Sequence, residues 1–113
     1  MNPPLEYLLQ NVKVTIDRPL GSKHPEHDFI YKVNYGYIPG TLAPDGEELD
    51  AYVLGTDMSL SEAEGKCIAI IHRLDDDDDK LIVSLSGEDI SNEDIIKLTN
   101  FQEKWFKIEI IRN

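Results

Sequence analysis

Three carboxylates that could bind a metal ion, Asp45, Glu47 and Asp50, lie within one short segment. Asp45-Gly46 is typical of a turn, since glycine accepts positive φ and aspartate can hydrogen-bond its own backbone. Two carboxylates about 4 Å apart repel by roughly 4 kcal/mol at an effective dielectric constant near 20. We therefore expect a cation to hold the three together, and carboxylate oxygens favour a hard divalent metal.

A second acidic group is a run of five aspartates at residues 75–79. Apolar segments at residues 66–74 and 81–83 flank it, which predicts a β-hairpin with the acidic run as its loop. Most of this run is expected to be a solvated loop. Its downstream end borders a strand, so Asp78 or Asp79 could point into a site, directly before Lys80.

Composition and charge exclude several function classes. The chain has 22 acidic and 11 basic residues, a formal net charge of −11, so nucleic-acid binding is not expected. A small anionic substrate remains compatible if metal ions bridge it to carboxylates. One cysteine, Cys67, permits no intrachain disulfide and suits a cytoplasmic location. No apolar run approaches the roughly 20 residues that a membrane-spanning helix needs.

Patterns along the chain predict short strands with one or two helices. Residues 12–18 alternate between apolar and polar side chains, which predicts a half-buried strand, and residues 49–54 predict a strand that carries Asp50. Further extended segments are expected at residues 29–37, 66–74, 81–83 and 105–112. Residues 55–65 are expected to be a surface linker or, at 59–64, a short helix. Six or so short strands indicate a small, mainly antiparallel barrel or curled sheet.

A helix is expected from Ser91 to about residue 104. Ser91 with Asp94 resembles a capping box, in which the serine oxygen accepts from the backbone at the start of the helix. The apolar residues expected to form its buried face are Ile95, Ile96, Leu98 and Phe101.

These motifs together resemble one family, the soluble inorganic pyrophosphatases of family I. The resemblance runs from about residue 12 to the C terminus and is strongest at residues 34–38 (NYGYI) and 45–50 (DGEELD). Two further blocks agree, at residues 78–83 (DDKLIV) and 104–109 (KWFKIE). The resemblance implies one α+β, mainly β domain over residues 1–113, a distorted five-stranded β-barrel with one or two peripheral helices.

The resemblance also assigns expected roles to residues. Asp45, Asp50 and Asp78 fall on the family's principal metal ligands, and the fourth acidic position is Asp75 or Asp76. Two or more Mg²⁺ ions are the implied cofactors. The residues implied in contacting or supporting phosphate are Tyr35 and Lys80, with Lys13, Arg18 and Lys23 as alternatives for the family's phosphate-binding lysine and arginine.

Two departures from the family pattern concern the chemistry. Glu47 stands where the family has an aspartate implicated in activating the attacking water, and its extra methylene moves the carboxylate by about an ångström. An adjacent Tyr-Lys pair that holds phosphate in the family is absent before Trp105.

The leading hypothesis is Mg²⁺-dependent hydrolysis of pyrophosphate by metal-activated water, with catalytic roles for Glu47, Tyr35 and Lys80. One alternative is a metal-dependent hydrolase of another phosphorylated compound, since loss of the Tyr-Lys pair could widen the pocket. Another is a catalytically silent module that binds metal and uses its acidic face for regulation or assembly. Because the family often assembles, the resemblance leaves room for a homo-oligomer.

Overall fold

The computed structural model describes residues 4–42, 46–75 and 78–112. A 3₁₀ turn (Leu5–Tyr7) precedes the sheet, and one α-helix packs on the outside of it. The elements are β1 (Asn11–Arg18), β2 (Asn34–Ile38), β3 (Leu49–Leu54), β4 (Glu62–Arg73), β5 (Lys80–Ser84), α1 (Asn92–Glu103) and β6 (Ile108–Ile111).

Five strands close into a barrel in the order β1-β2-β3-β5-β4, because β4 also pairs with β1. All these pairs are antiparallel except β3 with β5. Closure depends on the length of β4, whose first part pairs with β1, its middle with β5 and its end with β6. The predicted five-stranded barrel with a peripheral helix is confirmed.

Alternation along the strands separates two layers. The barrel interior, as we name it, is apolar and draws residues from all five barrel strands, among them Val14, Ile38, Val53, Ile70 and Leu81. The helix-facing layer is the opposite surface of the sheet, and Tyr35, Tyr52, Ile71 and Ile82 pack there with Ile95 of α1. Because strand side chains alternate between faces, Asp50 and Lys80 fall in the helix-facing layer.

The close approach of β1 and β2 explains the glycine between the two tyrosines of β2. A Cβ atom at Gly36 would lie 1.9 Å from the carbonyl oxygen of Thr15. Only glycine therefore allows the backbones to pair at this point. The contact fixes the strand that carries Tyr35.

The linker expected at residues 55–65, with its possible short helix at 59–64, is wrong from Glu62 onwards, because β4 already begins there. Pairing with β1 overrides the local preference of this polar segment, and the Asn11 side chain donates to Glu64 Oε2 at 2.9 Å. Residues 29–37 and 105–112 contain shorter strands than expected, β2 from Asn34 and β6 from Ile108.

The helix begins as predicted, with Ser91 Oγ accepting from the backbone N–H of Asp94 at 3.1 Å. Its expected buried face is only partly right. Ile95 is fully buried, but Ile96 and Leu98 are 46% and 38% exposed. The helix instead buries Ile95, Thr99, Gln102 and Glu103, because the sheet beneath it presents polar groups that Gln102 and Glu103 satisfy.

Candidate active site

An ionic cluster forms where β3 and β5 run side by side. Asp50 and Lys80 are direct partners in this parallel pair. The Lys80 ammonium, 3% exposed, donates to Asp50 Oδ2 at 2.7 Å, Asp78 Oδ2 at 2.9 Å and the Tyr35 hydroxyl at 2.7 Å. Three acceptors match the three protons of an ammonium group, which is the condition for burying it.

Tyr35 links β2 to this cluster. Its hydroxyl donates to Asp50 Oδ2 at 2.9 Å. Burial, then the negative charges of Asp50 and Asp78, raise the pKa of Tyr35 well above its ordinary value. The hydroxyl therefore keeps its proton at neutral pH and holds the Asp50 carboxylate in place.

Arg73, at the end of β4, brings a second buried cation to the cluster. Its guanidinium donates to both oxygens of Glu103, at 2.9 and 2.8 Å, and to Asp78 Oδ2 at 3.1 Å. It also stacks 3.6 Å from the ring centroid of Phe106. Burial alone would lower the pKa of Arg73, but the hydrogen bonds and charge of Glu103 raise it, so the group stays charged.

Hydrogen bonds continue from this cluster to the helix. The Tyr52 hydroxyl donates to Glu103 Oε2 at 2.6 Å and accepts from Gln102 Nε2 at 2.7 Å. The Tyr31 hydroxyl donates to Gln102 Oε1 at 3.0 Å. The last turn of α1 is therefore fixed to the sheet by polar contacts, which also fix the orientation of Arg73.

A cavity of about 630 Å³ opens beside the ionic cluster. Asp50 and Asp78 face it with side chains 30% and 29% exposed. Burial raises the pKa of Asp17, and the positive charge of the neighbouring Arg18 offsets part of this rise. The charged side chains that line the cavity are Asp17, Arg18, Asp50, Arg73, Asp78 and Lys80.

The cavity brings together five of the residues that the sequence predicted, namely Arg18, Tyr35, Asp50, Asp78 and Lys80. Of the two aspartates left open before β5, Asp79 is buried elsewhere, with His72 Nδ1 at 2.7 Å from its Oδ1. Successive side chains of an extended chain point to opposite sides, so Asp78 lies on the same side as Lys80 and Asp79 lies on the other. This explains why Asp78, and not Asp79, lines the cavity.

Four other predicted residues lie in described parts of the chain but do not line this cavity: Lys13, Lys23, Glu47 and Asp75. Lys13 is exposed on β1, and Lys23 lies 3.5 Å from Asp28 in an exposed ion pair. Glu47 is exposed just before β3, and Asp75 lies near the backbone N–H of Lys107 at 3.5 Å. Asp45 and Asp76 lie outside the described residues.

Sequence reasoning missed Arg73 and its partner Glu103. One signal for Arg73 was present: it is a charged residue at the end of an apolar strand, the same argument that singled out Asp50. No comparable signal marked Glu103, because a glutamate on a helix is usually solvated.

The residues at the cavity suit Mg²⁺ in donor type. Asp50 and Asp78 supply hard carboxylate oxygens, the ligands that Mg²⁺ prefers. Among the described residues no group of three or more His, Cys, Asp or Glu side chains is placed to hold a metal ion. This is compatible with Mg²⁺, which proteins commonly bind through one or two carboxylates together with substrate phosphates.

Comparison with known proteins agrees with this fold. A protein-family model for inorganic pyrophosphatase matches residues 5–110. The chain therefore belongs to the inorganic pyrophosphatase family, and membership indicates a hydrolase that acts on pyrophosphate. The comparison with curated proteins found no match.

Solved structures of inorganic pyrophosphatases have the same fold. The Ehrlichia chaffeensis enzyme superposes with a TM-score of 0.71 at 17% identity, covering 99% of this chain and 88% of that one. The Helicobacter pylori enzyme superposes with a TM-score of 0.64 at 18% sequence identity, and the match covers 90% of this chain and 82% of that one. The Thermus thermophilus enzyme superposes with a TM-score of 0.62 at 19% sequence identity, and the match covers 92% of this chain and 83% of that one. Within the described residues, no helix is long and apolar enough to cross a membrane.

Proposed function

We propose that this chain hydrolyses inorganic pyrophosphate to two phosphates in a Mg²⁺-dependent reaction at the cavity between β3, β5 and α1. The observation that carries the proposal is one cavity lined by three carboxylates, Asp17, Asp50 and Asp78, together with three cations, Arg18, Arg73 and Lys80. Carboxylates suit the metal and the cations suit phosphate oxygens, and phosphoryl transfer depends on both.

Asp50 and Asp78 would hold Mg²⁺, with Asp45 as the third ligand that the family pattern implies. When bound, two or more Mg²⁺ ions would lower the pKa of the attacking water and neutralise charge on the phosphates. Tyr35 and Lys80 both hold Asp50 Oδ2, which supports a fixed orientation of this carboxylate towards the ligand.

The cations of the chain would bind the substrate. Arg73 and Arg18 present guanidinium groups at the cavity, and a guanidinium can bind phosphate oxygens in a bidentate way. Lys80 would add positive charge where negative charge develops on the leaving phosphate. Glu47 is proposed to position or deprotonate the attacking water, which would require its segment before β3 to bring the carboxylate to the cavity.

The substrate class and cellular context follow as proposals. A net charge of −11 argues against nucleic acid and for a small phosphate compound delivered with metal ions. The buried thiol of Cys67 suits the reducing cytoplasm. A homo-oligomer remains an expectation from the family.

The test is Mg²⁺-dependent phosphate release from pyrophosphate by the purified protein. Asp50→Asn should reduce release by at least about a hundredfold, since it removes the charge that binds the metal. Asp57→Asn is a matched control at an exposed position after β3 and should keep the activity. Release that persists in Asp50→Asn would contradict the proposed site.

A second candidate, the catalytically silent metal-binding module, is favoured by one observation. Oδ2 of Asp50 and Oδ2 of Asp78 already accept from Lys80, so part of the carboxylate charge is neutralised within the protein. The same experiment separates the two candidates. A Mg²⁺-dependent rise in melting temperature without any phosphate release would support the silent module.

A further inference from the structure

The cavity extends beyond the ionic cluster along a wall of aromatic rings. The wall begins at Tyr35, whose ring centroid lies 5.4 Å from that of Tyr31. Phe29 follows at 5.6 Å from Tyr31, and Trp105 at 5.8 Å from Phe29. These rings all line the cavity that holds Lys80 and Arg73. One continuous surface therefore joins the charged end to an aromatic end.

The aromatic end has two exposed rings. Trp105 is 60% exposed and His27 is also exposed. Their centroids lie 6.5 Å apart and their planes differ by 30°. Trp105 therefore presents exposed indole surface at the aromatic end of the cavity.

The aromatic end of the cavity does not match the chemistry of pyrophosphate. Its surface consists of charged oxygens, which gain nothing from the faces of His27 and Trp105. A cavity of about 630 Å³ falls in the range that encloses drug-sized ligands, which are larger than pyrophosphate. Size and chemistry together suit a ligand with a diphosphate at one end and a planar ring at the other.

We propose that the cavity accepts a nucleoside diphosphate, with its phosphates at Lys80, Arg73 and Arg18 and its base stacked on Trp105. This inference rests on the proposed function, since the diphosphate would occupy the pyrophosphate site. In its hydrolysis, the water oxygen bonds to the terminal phosphorus and the bond from that phosphorus to the bridging oxygen breaks. The products are orthophosphate and a nucleoside monophosphate, and the proton from water is released to solvent.

The test compares two ligands that share one charged end. α,β-Methylene-ADP and the methyl ester of methylenediphosphonate carry the same non-hydrolysable diphosphate, and they differ in the adenosine. Calorimetric titration in Mg²⁺ should show the adenosine ligand binding about tenfold more tightly, the gain typical of one base stacked on an aromatic side chain. Trp105 is the sole tryptophan, so its fluorescence should be quenched by this ligand more than by the methyl ester.

Two variants locate the base. Trp105→Ala should bring the two affinities to within about twofold of each other, because the stacking face is lost. Met58→Ala, at another exposed apolar side chain that does not line the cavity, should keep the tenfold difference. Equal affinities in the wild type, or a difference that persists in Trp105→Ala, would overturn the inference.

Failure of this inference is distinguishable from failure of the proposed function. If neither diphosphate ligand binds while pyrophosphate is hydrolysed, the site excludes esterified diphosphates and only the nucleotide inference falls. If pyrophosphate is not hydrolysed and neither ligand binds, both proposals fall.

Discussion

The two faces of the same strands differ in what they contribute. In β3 and β5, the side chains of Ala51, Val53, Leu81 and Val83 point to the barrel interior, which is closed and apolar. The alternate side chains, Asp50, Tyr52, Lys80 and Ile82, point to the helix-facing layer, where charged and hydroxyl groups pair. A substitution on one face of these strands therefore does not directly touch the side chains on the other face.

The energetic basis of the two layers also differs. Apolar side chains in the barrel interior stabilise the fold by leaving water, at about 25 cal/mol per Å² of buried apolar surface. In the helix-facing layer the desolvation of Arg73 and Glu103 is unfavourable, and their mutual hydrogen bonds, with those to Asp78 and Tyr52, offset it. We therefore expect the free energy of unfolding to fall more when one member of this ion pair is lost than when one apolar side chain of the barrel interior is shortened.

Breaking the Arg73–Glu103 pair is expected to have the largest effect on stability. Glu103→Gln keeps the shape but leaves the Arg73 charge without its main partner, so unfolding free energy should fall by about 3 to 5 kcal/mol. Urea denaturation measures this change. Glu93→Gln, at an exposed position in the first turn of the same helix, is the matched control and should cost under about 1 kcal/mol.

A double variant separates stability from activity at this pair. Arg73→Met with Glu103→Leu removes both charges, and apolar replacement of a buried ion pair is often neutral or stabilising. At least half of the stability lost in Glu103→Gln should return, while phosphate release should stay low because Arg73 lines the cavity. Full activity in the double variant would show that Arg73 serves the fold alone.

The same contrast between layers explains what the sequence could predict. Apolar alternation set β1 correctly, since period-two burial follows directly from side-chain order, whereas β3 is buried at nearly every position. Asp50 and Lys80, which line the cavity, were predictable as candidate site residues because charged groups next to apolar strands need partners. Glu103 was not, because its burial depends on Arg73, thirty positions away in the chain. Lys13 and Lys23 were predicted only as alternatives for the family's phosphate-binding lysine and arginine, and a match in residue type does not say which side of the sheet a residue faces.

A cavity in the barrel interior should lower stability without changing catalysis. Ile70 is fully buried there, and Ile70→Ala should reduce the unfolding free energy by about 3 kcal/mol. The kcat for pyrophosphate should stay within about twofold at temperatures where the variant is folded. A large loss of kcat in the folded variant would contradict the separation of the two layers.

Alkaline pH is expected to have the smallest effect, and it compares buried acids that stay neutral at pH 7 in the two layers. They include Cys67 in the barrel interior, and Tyr35 and Tyr52 in the helix-facing layer. Burial raises the pKa of Cys67 in the barrel interior to about 11, and burial with the Glu103 charge raises that of Tyr52 in the helix-facing layer. Above the unfolded pKa values, 9.0 for the thiol and 10.0 for the phenol, the unfolded chain loses protons that the folded chain keeps. Stability should therefore fall with rising pH, each group contributing up to about 1.4 kcal/mol per pH unit.

The two contributions can be resolved by their pH windows. Urea midpoints measured from pH 8 to 11 should decline less steeply above about pH 9 in Cys67→Ala, and less steeply above about pH 10 in Tyr52→Phe. Both variants lose some stability at neutral pH, so the slope and not the level is the diagnostic quantity. If Cys67→Ala kept the wild-type slope, the thiol would titrate equally in both states, and the barrel interior would be less closed to the charged form than its packing indicates.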